Sequence, residues 1–198
     1  MGLQMAASSD KQDKENKLSQ VYLAIISRYK DYIEEKESLS VAELPVLVTP
    51  NEMAVKKKVE EIKAGFLNYD YDSNFREASI RAHEFVKKEI TEAILPLQFW
   101  LTPEETLTFK LGDSIDKNIL LCSIFIGLGN PSSKVFVKIA ETARKVSVYY
   151  ELKGKTYLFD IEDGIKEFDS KESMLKTMDL KEETTAYEFN NQMYADIY

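Results

Sequence analysis

The segment Gly112-Asp113-Ser114-Ile115-Asp116, with the apolar run that follows it to Leu128, constrains the fold more than any other part of the chain. Gly-Asp-Ser is a break that opens a helix, and Gly129-Asn130-Pro131 closes it. From Ile119 on, that helix is apolar nearly all round, so it must be central, with other elements packed about it. After Pro131 the period changes. KVFVKI (134–139) and KVSVYYEL (145–152) alternate, Lys153-Gly154 is a hairpin turn, and TYLFDI (156–161) is a third strand. Helices followed by a meander predict an α+β fold in which the central helix packs on a small antiparallel sheet.

The rest of the chain divides around this core. Residues 1–16 are polar and read as a disordered tail. Residues 17–98 read as an N-terminal helical part. Its first helix carries Leu18, Val21, Tyr22, Ile25, Ile26, Tyr29, Tyr32 and Ile33 on one face and ends in Glu34 to Glu37. Leu39 to Val48 is extended or looping. Thr49-Pro50-Asn51-Glu52 is a helix start, with Val55, Val59, Ile62 and Phe66 as the buried stripe. NYDYDS (68–73) is a turn, after which Asn74 and Glu77 open a long helix to about Ala93. The helix-start signal recurs at Thr102-Pro103-Glu104-Glu105. Residues 99–164 form the core itself, and the acidic tail 165–198 packs on the same domain with one short helix near Ser170 to Met178.

Composition excludes several classes of function. The formal net charge is -8 with no basic patch, which argues against nucleic acid as a partner. No apolar run approaches the ~20 residues of a membrane helix. The single cysteine, Cys122, has no intramolecular partner, which suits a reducing cytoplasm. Asp160, Glu162 and Asp163 lack the oxygen spacing of a calcium loop, so neither a metal nor a cofactor is expected.

A residue in the first turn of a buried helix faces outward-pointing amides and the positive end of the helix dipole. That is a place for a thiolate nucleophile, served by a base on one strand and an orienting carboxylate on the next. The stretch from Phe99 to Gly164 resembles the transglutaminase-like superfamily, a branch of the papain-like cysteine-protease architecture. The family pattern reads G-D-C-x-D-x-A-x-L-L-x-S-L-L-x-x-L-G at the helix, then a strand with H-x-W/Y-V-E and a strand ending Y-L-x-D. Gly112, Asp113, Asp116, Leu120, Leu121, Ser123, Leu128 and Gly129 match the helix, and Tyr149, Glu151, Tyr157, Leu158 and Asp160 match the strands.

The departures bear on chemistry. The nucleophile position carries Ser114, the histidine position falls on Ser147 give or take one residue, and only Asp160 of the triad is kept. The one histidine, His83, lies upstream, against the family's chain order. A helix end contributes roughly 0.3–2 kcal/mol, about one pKa unit, too little to ionise a serine hydroxyl near neutral pH. The resemblance therefore implies the fold without its catalysis: a binding or interaction module whose relict cleft holds a peptide or protein ligand. Trp100, Asp113, Asp116 and Tyr149 are the expected cleft residues around Ser114, Ser147 and Asp160. The alternatives are a hydrolase or acyltransferase using Ser114, with Ser there in place of Cys, and an oligomeric scaffold subunit. In the plainest reading Ser114 is a helix N-cap, Asp160 a turn residue, His83 a boundary residue and Cys122 inert core.

Overall fold

The computed structural model describes residues 19–33, 40–93, 99–140, 143–178, 180 and 184–197. The polar tail 1–16, the Glu34–Glu37 helix end and the Pro96 connection lie outside the described residues. The described residues fall into two compact units, 19–33 with 99 in one and 40–93 with the described residues from 100 on in the other. In the first unit, α1 covers residues 19–33. Its Val21, Tyr22, Ile25, Tyr29 and Tyr32 are 49–61% exposed.

The second unit opens on a 3-10 helix, Val41–Leu47, where an extended or looping stretch was expected. Ser40 and Glu43 form its capping box, which starts the turn despite Pro45. Helix α2 (Met53–Lys63) begins later than Thr49-Pro50 suggests. Its N-cap is Glu52, and the Thr49 hydroxyl caps nothing. Instead the Thr49 amide donates to Ser123 Oγ at 3.0 Å, tying the segment to the central helix. Helix α3 (Tyr71–Glu89) starts three residues before Asn74 because Asp70 caps it through the Ser73 amide. Strand β1 (Thr91–Glu92) pairs in parallel with β2 (Leu111–Gly112), and α4 (Pro103–Phe109) lies between them with Thr102 and Glu105 as its capping box.

Helix α5 (Ser114–Gly127) is the expected buried helix, with residues from Ile115 to Phe125 all buried. Gly129 follows at φ +115, a conformation that favours glycine, and the chain turns into the sheet. The strands are β3 (Lys134–Ala140), β4 (Ala143–Leu152), β5 (Lys155–Asp160) and β6 (Gly164–Phe168), then, after α6 (Lys171–Thr177), β7 (Thr184–Phe189) and β8 (Tyr194–Asp196). Their order is β6-β5-β4-β3-β7-β8, antiparallel throughout. The acidic tail thus supplies three strands beyond the expected meander, and β7 flanks the middle of the sheet.

Alternation sorts the strand residues onto two faces. Val135, Val137, Val146, Val148, Tyr150 and Phe159 join α2, α3 and α5 in the main core. Phe136, Tyr149, Leu158 and Ala186 form a smaller core on the opposite face with Met174 of α6. Among the described residues, no helix is long and apolar enough to cross a membrane.

Candidate functional site: the cleft at the start of the central helix

The N-terminus of α5 is built by two aspartates. Asp113 is the N-cap: its Oδ1 accepts from the Ile115 and Asp116 amides at 2.7 and 3.0 Å. Ser114 is therefore the first helical residue, not the cap. Asp116 reaches back, accepting from the Asp113 amide with Oδ2 and from the Leu101 amide with Oδ1, both at 2.9 Å. Burial and then the neighbouring Asp113 push the Asp116 carboxyl up to about 7, against the pull of those two amides. Gly112 is required by this approach, because a Cβ there would stand 2.9 Å from Asp116 Cβ. The free oxygen of Asp113 grips Arg144 at 2.8 Å, pinning the start of β4 to the helix end.

Between them lies a cleft of about 270 Å³. Ser114, Lys117 and Asn118 line it from α5, and Arg144, Lys145 and Val146 from β4. Asp160, Ile161 and Glu162 line it from the corner after β5, and Glu92 from β1. Each cation in this wall faces a carboxylate. Lys117, its side chain 5% exposed, donates to Glu92 at 3.0 Å. Arg144 holds Asp113, and Lys145 contacts Asp163 and lies 3.4 Å from Asp160 Oδ2. The hydrogen bond to Asp163 raises the Lys145 pKa, so this amine stays protonated. Asp160 Oδ1 accepts from the Glu162 and Asp163 amides at 2.9 Å, and the Asp160 carbonyl accepts from His83 Nε2 at 2.9 Å.

The cleft brings together Ser114 and Asp160 of the expected residues, and not the others. Ser147 pairs with Phe136 and shares its face, on the far side of the sheet from α5. Its neighbour Val146 lines the cleft. The physical reason is the two-residue period of a strand, by which a one-residue shift in alignment reverses the face. Tyr149 is likewise on the far face, donating to Glu188 at 2.6 Å. Trp100 packs against the main core. Asp113 and Asp116 shape the helix end from beside the cleft. Among the described residues, no three His, Cys, Asp or Glu side chains are grouped to hold a metal ion.

No protein-family model matches the sequence, and no curated protein matches it either. Similarity is found in solved structures. LapG of Legionella pneumophila gives a TM-score of 0.51 at 13% identity, covering 80% of this chain and 88% of that one. An EGTA-treated LapG structure gives 0.51 at 12% identity, covering 81% and 87%. The fold is transglutaminase-like.

Within that fold, sequence reasoning missed the residues that fill the cleft. Asn118 had a signal: the resembled pattern has Ala four residues after its Cys, and this chain has Asn there. Val146 was one residue away from the position singled out. Lys117 and Glu92 gave no signal, since their pairing depends on the parallel β1–β2 contact between distant segments.

Proposed function

We propose that this transglutaminase-like domain is a non-enzymatic binding module that holds an extended peptide in the cleft beside Ser114. The observation that carries the reading is a pair of side chains that line it. Ser114 stands at the first turn of α5, and Val146, an aliphatic group, lines the cleft from β4. A serine hydroxyl needs a general base within hydrogen-bond reach to act as a nucleophile. The lysine and arginine groups that line the cleft each hold a carboxylate and serve as ion-pair partners. Cleft shape is set by the Asp113–Arg144 clamp and the Asp160 turn, neither of which depends on a nucleophile. We assign the protein to the cytoplasm on its lone thiol, that of buried Cys122.

The test is turnover. Peptide and glutamine-amide substrates are incubated with the purified chain and with Ser114→Ala, and a serine-directed phosphonate is applied to both. The expected result is no turnover and no label at Ser114. Hydrolysis or acyl transfer that disappears in Ser114→Ala would overturn the reading.

A second reading, a self-associating scaffold, is favoured by the half-exposed apolar residues of α1. Sedimentation of the chain with and without residues 1–38 separates it. An oligomeric state unchanged by truncation removes it.

A further inference from the structure

We infer that Asn118 is the recognition residue of the cleft, its Oδ1 accepting a hydrogen bond from a main-chain N–H of a bound extended peptide. The inference rests on the proposed binding role of the same cleft and adds the atom that selects the ligand.

Asn118 is 1% exposed and lines the cleft one helical turn after Ser114. Its Nδ2 donates to the carbonyls of Ser114 at 2.7 Å and Val146 at 3.4 Å. Those two acceptors fix the amide orientation, because the reverse would set the side-chain oxygen against two carbonyl oxygens. Oδ1 is then the outstanding group, buried and without a hydrogen-bond partner. Buried acceptors are rarely left so, and each asks for a donor. Asparagine is also a poor choice for a helix interior, where it competes with the backbone. Here it stands where the resembled pattern has Ala. A residue unfavourable to the helix and unsatisfied within the fold is explained by a donor from outside.

The wall of the cleft narrows the chemistry of that donor. Its ammonium and guanidinium groups each face a carboxylate, so the wall offers no spare cation to attract an anion. Val146 and Ile161 add apolar surface beside Asn118. A neutral N–H flanked by apolar groups meets both conditions, and an extended chain presents one at each residue. The volume of about 270 Å³ suits a short stretch of chain.

The experiment uses the 15N-labelled full chain and two small amides that differ in one donor. N-methylacetamide carries the N–H of a peptide bond, and N,N-dimethylacetamide lacks it. N-methylacetamide is expected to shift the Asn118 side-chain resonances and the Ser114 and Val146 amides. N,N-dimethylacetamide should leave them in place, and Asn118→Ala should abolish the response. Equal shifts from both amides, or none from either, overturn the inference. Ethylene glycol shifting the same resonances as strongly would assign the acceptor to hydroxyl ligands and also overturn it. The comparison of amides is made on the unaltered chain, so it holds even if Asn118→Ala folds poorly. Equal shifts would leave the non-enzymatic reading intact, whereas Ser114-dependent turnover would remove that reading and leave this contact standing.

Discussion

His83 Nε2 donates to the carbonyl of Asp160 across 2.9 Å, joining α3 to the corner that forms one wall of the cleft. The ring is 4% exposed and meets Phe159 edge-on, with centroids 5.8 Å apart. Burial above all holds its pKa below the ordinary 6.5. The unfolded chain therefore takes up this proton first. Stability from the neutral ring is complete above pH ~6.5 and is lost as pH falls through the depressed folded value. Urea titrations at a series of pH values should show His83→Gln losing less stability on acidification than the parent. Gln still donates to the Asp160 carbonyl but cannot charge. Parallel losses in the two proteins would refute the assignment.

Asp116 tilts the curve the other way. Its folded pKa, about 7, lies above the ordinary 3.8, so the folded chain binds the proton more tightly. The stability this adds is full below pH ~3.8 and is lost as pH rises through about 7. Asp116→Asn should flatten that alkaline-going loss. It should also cost about 1–3 kcal/mol at low pH, since an amide accepts from the Leu101 and Asp113 backbone with only one oxygen. A variant with the parent's slope would show that folding leaves the Asp116 carboxyl unshifted.

On the far face of the sheet, Glu188 is 2% exposed and accepts from Tyr149, Lys134 and Lys171. Burial works against its charge, yet the two lysines and the phenol hold its pKa below the usual carboxylate value. Glu188→Ala should destabilise the protein by about 1–3 kcal/mol. The figure stays below that of a fully buried pair because Lys134 and Lys171 keep 20% and 24% side-chain exposure. Chemical denaturation measures it, and a loss under about 0.5 kcal/mol, within the range of ordinary surface changes, would mean the lysines find other partners.

Cys122 is fully buried in α5, and burial raises its thiol pKa. The native protein should take up no thiol reagent until it unfolds. Ser114→Cys should add one thiol that iodoacetamide reaches, at the half-buried first turn of α5. It should still not turn over peptide, because Val146 offers no base. Turnover by Ser114→Cys alone would point to a base elsewhere in the wall. The further change Val146→His is the variant expected to support an imidazole–thiol pair.

The central helix, the meander strands and the Lys153-Gly154 turn were legible because local signals specify them. The run from Ile119 on is apolar nearly all round, and Lys153 and Gly154 both take positive φ in the hairpin. The Thr102 capping box was legible for the same reason. The tail was not. Strand β8 is only three residues long, and β7 is set by pairing with β3 about fifty residues earlier. The cleft was half legible. Ser114 and Asp160 are fixed by helix and turn chemistry, whereas the cleft residue on β4 depended on strand parity, which spacing alone left open by one position.

That late strand pairing also governs synthesis. β3 takes β4 as one neighbour soon after it is made, and its other neighbour only when residues 184–189 emerge. A nascent chain paused after β6 would present β3 as an open edge with a fully assembled hydrophobic helix behind it. Until β7 leaves the ribosome, that open edge is the surface chaperones would have to shield.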